Sequence, residues 1–264
     1  MSKTRKRTKA QVTKTRKQKS PFKDITLLEK EITGFINKFK ITVASHSKRV
    51  SDYFEMSCFN DVVRFYYLKG YKITVQNLQN KEYRYKCSTA GIQSNFSHFG
   101  LSILCNDKIE EYEVHHNLAA QSSHDAEIFT TPDITIIKKN TSQTTTGYYD
   151  TKRRFSFVKN DDLMSFCECK QFNPFPELVF NFIGVVNELR SEIIENKFTE
   201  LNPVHIAPSL MVSGKPNKQA NKIKDSLESR YCINIIYDLF YSRTVTFAKH
   251  NVNALRTAGK LPSH

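Results

Sequence analysis

Three ionisable residues are spaced so that β-structure would bring them together: Asp133 at the head of "PDITII", and Glu168 and Lys170 within "SFCECKQF". Side chains alternate across a strand, so Glu168 and Lys170 share one face while Cys167 and Cys169 share the other. The cysteines belong to a core. Opposite charges on one face of so apolar a strand are costly unless they pair or meet a ligand. If the strand headed by Asp133 neighbours the one carrying Glu168, the two carboxylates approach each other and repel unless a hard cation lies between them. Oxygen donors of this kind suit Mg2+, with Mn2+ as a substitute. A lysine beside such an ion can orient or deprotonate a water, or meet the charge that builds on a phosphate.

The elements that must position these groups follow from periodicity. Apolar residues at Ile25, Leu28, Ile32, Phe35 and Ile36 repeat as on a helix, and so do those of the segment from Ser47 to Lys69, which Gly70 would end. On that second helix Glu55 interrupts a stripe that continues through Cys58, Phe59, Val62 and Tyr66. "YKITV" and "EYRYKCSTA" alternate as strands about the polar turn "QNLQNK", and one or two further strands surround Asn106 and Asp107. The run Ile134 to Ile137 begins after Pro132, where a missing N–H is tolerated. A polar insertion over 140–162 separates it from the strand carrying Glu168. An amphipathic helix introduced by Pro174 and Pro176 follows, and then strand, helix, strand, which predicts a parallel pair. The class expected is α/β with a mixed sheet.

Asp133, Glu168-x-Lys170 and Glu55 together resemble the motifs of the PD-(D/E)XK, or restriction-endonuclease-like, nuclease superfamily. The resemblance covers roughly residues 47–240. It implies an α-β-β-β-α-β core, a mixed central sheet flanked by helices, and a divalent metal held by Asp133 and Glu168. It further implies Lys170 as the catalytic lysine, Gln171 as the polar residue that often follows it near the scissile phosphate, and Glu55 as the glutamate of the first core helix that faces the metal. Asp125 and Glu127 are rival acids for the place given to Asp133. The activity implied is Mg2+-dependent hydrolysis of DNA phosphodiester bonds by an endonuclease of a restriction, phage-defence or mobile-element system. An RNA-cutting enzyme and a non-cleaving binding module on the same core are the alternatives. Members work as homodimers or beside a partner protein that supplies targeting.

Charge agrees with a polyanionic partner. The formal net charge is +14, and nine of the forty basic residues fall within residues 1–20, which contain no acid. That segment reads as a disordered arm for nucleic-acid backbone. Residues 21–46 read as a helical lead-in, and 241–264 as a C-terminal extension. Lys138, Lys139, Lys152, Arg153 and Arg154, in or beside the insertion, are further candidates for phosphate contacts.

Other chemistries find little footing. Cys58, Cys87, Cys105, Cys167, Cys169 and Cys232 are scattered without a CxxC pair or a zinc spacing, which predicts reduced thiols and a cytoplasmic address. His115, His116 and His124 fit no zinc signature and read as hydrogen-bonded or solvent-facing residues. "SGKPNK" lacks the full phosphate-binding loop. No apolar run approaches the length of a membrane span.

Overall fold

The computed structural model describes residues 25–43, 49–145, 154–195 and 203–258. The basic arm, Lys152 and Arg153 lie outside the described residues. In chain order the elements are α1 (Ile25–Asn37), β1 (Thr42–Val43), α2 (Val50–Leu68), β2 (Lys72–Gln76), β3 (Glu82–Tyr83), β4 (His98–Cys105) and β5 (Lys108–His116). Then come β6 (Ala119–Gln121), β7 (Phe129–Thr130), β8 (Ile134–Lys138), β9 (Gln143–Thr145), β10 (Phe155–Val158) and β11 (Leu163–Lys170). The chain continues with α3 (Pro176–Leu189), α4 (Ser191–Ile194), β12 (Ser209–Val212), α5 (Lys218–Arg230), β13 (Asn234–Ile236) and α6 (Leu239–Thr246).

Seven strands form one mixed sheet in the order β13-β12-β11-β8-β5-β4-β2. Neighbours from β2 to β11 run antiparallel, whereas β11, β12 and β13 run parallel. Connections through α3 and α5 supply the crossovers that parallel neighbours require.

Strict alternation divides the core into two layers. Val114, Ile134, Ile136, Cys167, Cys169 and Met211 face α1 and α2, while Ile137, Phe166, Leu210 and Val212 face α3 and α5. The α2 helix is buried on most sides, and Cys58, Phe59, Val62 and Tyr66 are fully enclosed. Arg243 ties α6 to this layer, with Nε 3.4 Å from Asp61 on α2 and a second ion pair to Glu31 on α1. No disulfide joins any of the six cysteines among the described residues.

Two segments depart from the periodicity. "EYRYKCSTA" does not enter the large sheet, and only Glu82 and Tyr83 pair, with β1. Side chains take the place of a ladder there: Ser97 Oγ accepts from the Arg84 amide, Asn117 Nδ2 donates to the Lys86 carbonyl, and Arg49 donates to the Cys87 carbonyl. The alternating Tyr83 and Tyr85 instead insert into the core, where Tyr85 donates to Asn60 at 2.6 Å. Beyond β13 the extended run "YDLF" turns into a helix, because Asp238 adopts a left-handed conformation (φ 57°) and its carbonyl accepts from Ser242. Both effects depend on distant or single-residue conformations that alternation does not report.

The β4–β5 hairpin turns through Asn106 and Asp107, both at positive φ. A two-residue turn of this type prefers glycine second, where a Cβ is strained. Asp107→Gly is therefore expected to stabilise the fold by about 0.5–1 kcal/mol, measured as a raised urea midpoint at unchanged slope.

Candidate active site

Residues 133 and 168 meet across the antiparallel pair β8 and β11. Cys167 stands opposite Ile134, so Glu168 stands opposite Asp133, and both lie at the sheet end where β11 stops. Pro132 is buried just before β8 and aims the chain into the strand. Asp133 is fixed at both ends: its carbonyl accepts from Asn117 N at 2.9 Å and its Oδ2 accepts from Cys169 N at 2.6 Å.

The ammonium of Lys170 bridges the acids, with Nζ 3.0 Å from Asp133 Oδ2 and 2.7 Å from Glu168 Oε2. Their side chains are 14% and 12% exposed, so the charges are screened only in part. Among the described residues, no hydrogen bond engages Asp133 Oδ1 or Glu168 Oε1. Glu55, projecting from α2, adds a third acid close enough to act on Glu168.

Electrostatics expresses this surplus of negative charge. Burial, then the neighbouring Asp133, pushes the Glu168 carboxyl up to about 7; Glu55 adds to the rise and Lys170 opposes it. Burial works against the charge of Lys170, yet Glu168 and Asp133 together hold its ammonium well above the usual lysine value. Two carboxylates face one lysine, and with the charge that Glu55 adds near Glu168 they leave a negative surplus that a divalent oxygen-seeking cation would neutralise. Asp133 and Glu168 therefore fit Mg2+ or Mn2+ in donor type and charge, whereas Glu55 is not grouped with them as closely as His98, Glu113 and His115 are with one another.

Gln171 is the first residue beyond β11 and lies at this same end, half-buried. Asp125 and Glu127 do not compete with Asp133. They occupy the exposed loop between β6 and β7, where Asp125 Oδ1 accepts from the Glu127 amide at 2.8 Å.

The basic candidates separate. Lys138 lies at the far end of β8 from Asp133, roughly 16 Å along the strand at about 3.3 Å per residue. It binds the Asp161 carbonyl and, at 3.1 Å, Asp162. Lys139 pairs with Glu111 at 2.7 Å. A strand carries residues away from the head as fast as it extends, so nearness to Asp133 in sequence did not mean nearness in space. Arg154, by contrast, is exposed beside a cleft of about 630 Å³ that also touches Ala119 and Thr131, two residues from Asp133.

The histidines divide in three. His124 is exposed and contacts the Asn187 carbonyl at 2.9 Å. His116 departs from expectation: it is 1% exposed, neither ring nitrogen has a hydrogen-bond partner among the described residues, and Nε2 lies 3.7 Å from Glu55 Oε2. Its alternation parity on β5 places it behind Glu55, which reading for zinc spacings could not show. His115, on the other face, belongs to a polar chain that begins at the buried Lys86. Lys86 donates to Gln93 Oε1 at 3.2 Å, Gln93 Nε2 stands 3.1 Å from His115 Nδ1, and His115 Nε2 stands 2.8 Å from Glu113.

That chain has a direction. Because Gln93 spends its oxygen on Lys86, its amide donates to His115 Nδ1, and the proton of His115 must sit on Nε2 and donate to Glu113. His98 stacks on His115 with ring centroids 4.3 Å apart, and the three side chains His98, Glu113 and His115 are grouped closely enough to suggest a metal. A protonated Nε2 committed to Glu113 is a poor ligand, so the group is read as a hydrogen-bonded network. Burial lowers Lys86 to about 8, since its acceptors are neutral.

Among the described residues, no helix is long and apolar enough to cross a membrane. No family model, no curated protein and no solved structure matches the chain.

Proposed function

We propose that the protein is a metal-dependent nuclease that hydrolyses phosphodiester bonds of DNA. The observation that carries this reading is the bridge of Lys170 Nζ between Asp133 and Glu168, with Glu55 adding charge from α2. Support also comes from the element order: helix α2, antiparallel neighbours β5, β8 and β11, crossover helix α3, and parallel β12. This order can be laid on the α-β-β-β-α-β core implied by the resemblance to PD-(D/E)XK nucleases if β2, β3 and β4 are taken as additions ahead of the core strands and β6, β7, β9 and β10 as insertions between them.

A bound Mg2+ would polarise a phosphate oxygen and lower the pKa of a water. Asp133 and Glu168 would supply oxygen donors for it, and Glu55 would add charge from α2 that steadies the ion or its hydration shell. Lys170, an ammonium under these neighbours, donates protons in hydrogen bonds rather than removing one, so it orients the attacking water and meets negative charge on the phosphate. Gln171 stands beside it for a second contact. The oxygen that Lys170 does not contact on each acid, Asp133 Oδ1 and Glu168 Oε1, remains as a donor for a divalent ion.

The reading is tested by incubating the purified chain with supercoiled plasmid, single-stranded DNA and total RNA in Mg2+, Mn2+ or EDTA. Cutting of DNA that EDTA abolishes is expected. Cutting of RNA alone would transfer the reading to a ribonuclease, and salt-sensitive binding without cutting under either metal would transfer it to a binding module.

A further inference from the structure

The rim just past Lys170 carries aromatic surface that the fold does not use. Phe172 and Phe175 stack on each other, with centroids 5.7 Å apart and rings 29° from parallel, yet they are 38% and 43% exposed. An exposed ring is unremarkable singly, but a stacked pair held at the mouth of a charged site is not explained by packing.

The pair is also rigid. Pro174 and Pro176 flank Phe175 and fix the backbone on either side. Gly214 N donates to the Phe172 carbonyl at 3.2 Å, and a Cβ at Gly214 would fall 2.6 Å from both the Asn173 Cα and the Phe172 carbonyl oxygen. Only glycine lets the loop after β12 seat the loop after β11. The same glycine's carbonyl accepts from Asp238 N, which brings in Lys215 and Tyr241, where Nζ lies 5.4 Å from the ring centroid and Tyr241 is 48% exposed. Aromatic and cationic groups thus share the rim formed at the C-terminal ends of the parallel strands β11 and β12, a usual place for ligands in α/β sheets.

We infer that Phe172 and Phe175, on the rim that also carries Lys215 and Tyr241, form a stacking platform for unpaired nucleobases of the strand being cut. The inference rests on the nuclease reading of the adjoining site and gives that site a substrate class, single-stranded or locally unpaired nucleic acid. Bases in a duplex are stacked on each other and offer no face to a ring, whereas an unpaired base does. The positive lysine suits the backbone that must accompany the base. Pre-ordering by two prolines and the glycine contact means little conformational freedom is lost when a base lands.

The chain contains no tryptophan, so Phe172→Trp places a single tryptophan on the platform, excited at wavelengths too long for the 12 tyrosines to absorb. In Ca2+ without turnover, its emission is expected to be quenched by oligothymidylate and not by a matched duplex. By anisotropy, the Phe172→Ala/Phe175→Ala double variant should bind oligothymidylate about tenfold or more weaker, with duplex binding nearly unchanged, since each stacked base contributes about 1–3 kcal/mol. Both rings are on the surface, so the variant should melt with the wild type. Equal losses on strand and duplex, or no loss on the strand, would overturn the platform. If the wild type cuts or binds duplex only, the platform falls while the nuclease reading stands; if it binds no nucleic acid, the nuclease reading falls with it.

Discussion

Asp133→Asn is expected to lower the rate of metal-dependent cleavage by about a thousandfold or more, while the melting temperature in EDTA stays near that of the wild type. Asparagine keeps an oxygen that can accept from Cys169 N and from Lys170, which are the two bonds Asp133 Oδ2 makes. What it removes is the charge. Removing one pre-organised hydrogen-bond donor from an active site costs about 10²–10³ in rate, and losing a carboxylate that also holds the metal should exceed that range. Single-turnover cleavage at saturating Mg2+ measures the effect without interference from product release. A rate within tenfold of wild type would remove Asp133 from the site.

Glu168→Gln should have the opposite effects on stability and on activity. The folded state pushes this carboxyl up to about 7 from an ordinary 4.5. A group that binds its proton more tightly when folded contributes stability at low pH, and that contribution is lost as pH rises from about 4.5 to about 7. The shift corresponds to at most about 3 kcal/mol, and sharing with Lys170 and Asp133 reduces what one substitution recovers. In EDTA at pH 8 the glutamine variant is therefore expected to be about 1–2 kcal/mol more stable than the wild type, a rise of several degrees in melting temperature. At pH 4.5 the difference should disappear. Added Mg2+ should raise the melting temperature of the wild type and leave the variant where it was, because only a bound ligand shifts the equilibrium. Loss of stability at pH 8 in EDTA would mean that the Lys170 pairing outweighs carboxylate repulsion, which contradicts the account of the site.

The same physics makes part of the site legible in the sequence. Strand alternation separated Cys167 and Cys169, now in the core, from Glu168 and Lys170, now at the sheet end. Helical periodicity singled out Glu55 because an acid interrupted an apolar stripe that is indeed buried. Asp133 was distinguished from Asp125 and Glu127 by heading an apolar strand. These are short-range patterns, and the site is assembled from their ends.

What stayed hidden depends on contacts between distant segments. Lys86 falls on the polar side of the alternation in "EYRYKCSTA", yet Gln93 and Asn117 give its ammonium acceptors inside the protein. His116 acquires its position behind Glu55 only when α2 crosses β5. Lys138 and Lys139 are close to Asp133 along the chain but are carried to the other end of β8. The stacking of Phe172 on Phe175 is set by a glycine about forty residues onward, a distance at which no local pattern operates.

The measurement that tests the central claim most directly is single-turnover cleavage by the wild type and by Lys170→Ala, side by side in Mg2+, on whichever nucleic acid the wild type cuts, with melting curves taken on the same preparations. Lys170 is the group that touches both Asp133 and Glu168, so its loss should abolish cutting in a protein that still melts cooperatively. Cutting that survives in a folded Lys170→Ala chain would show that the Asp133, Glu168 and Lys170 cluster is an internal ion pair and that the chemistry lies elsewhere.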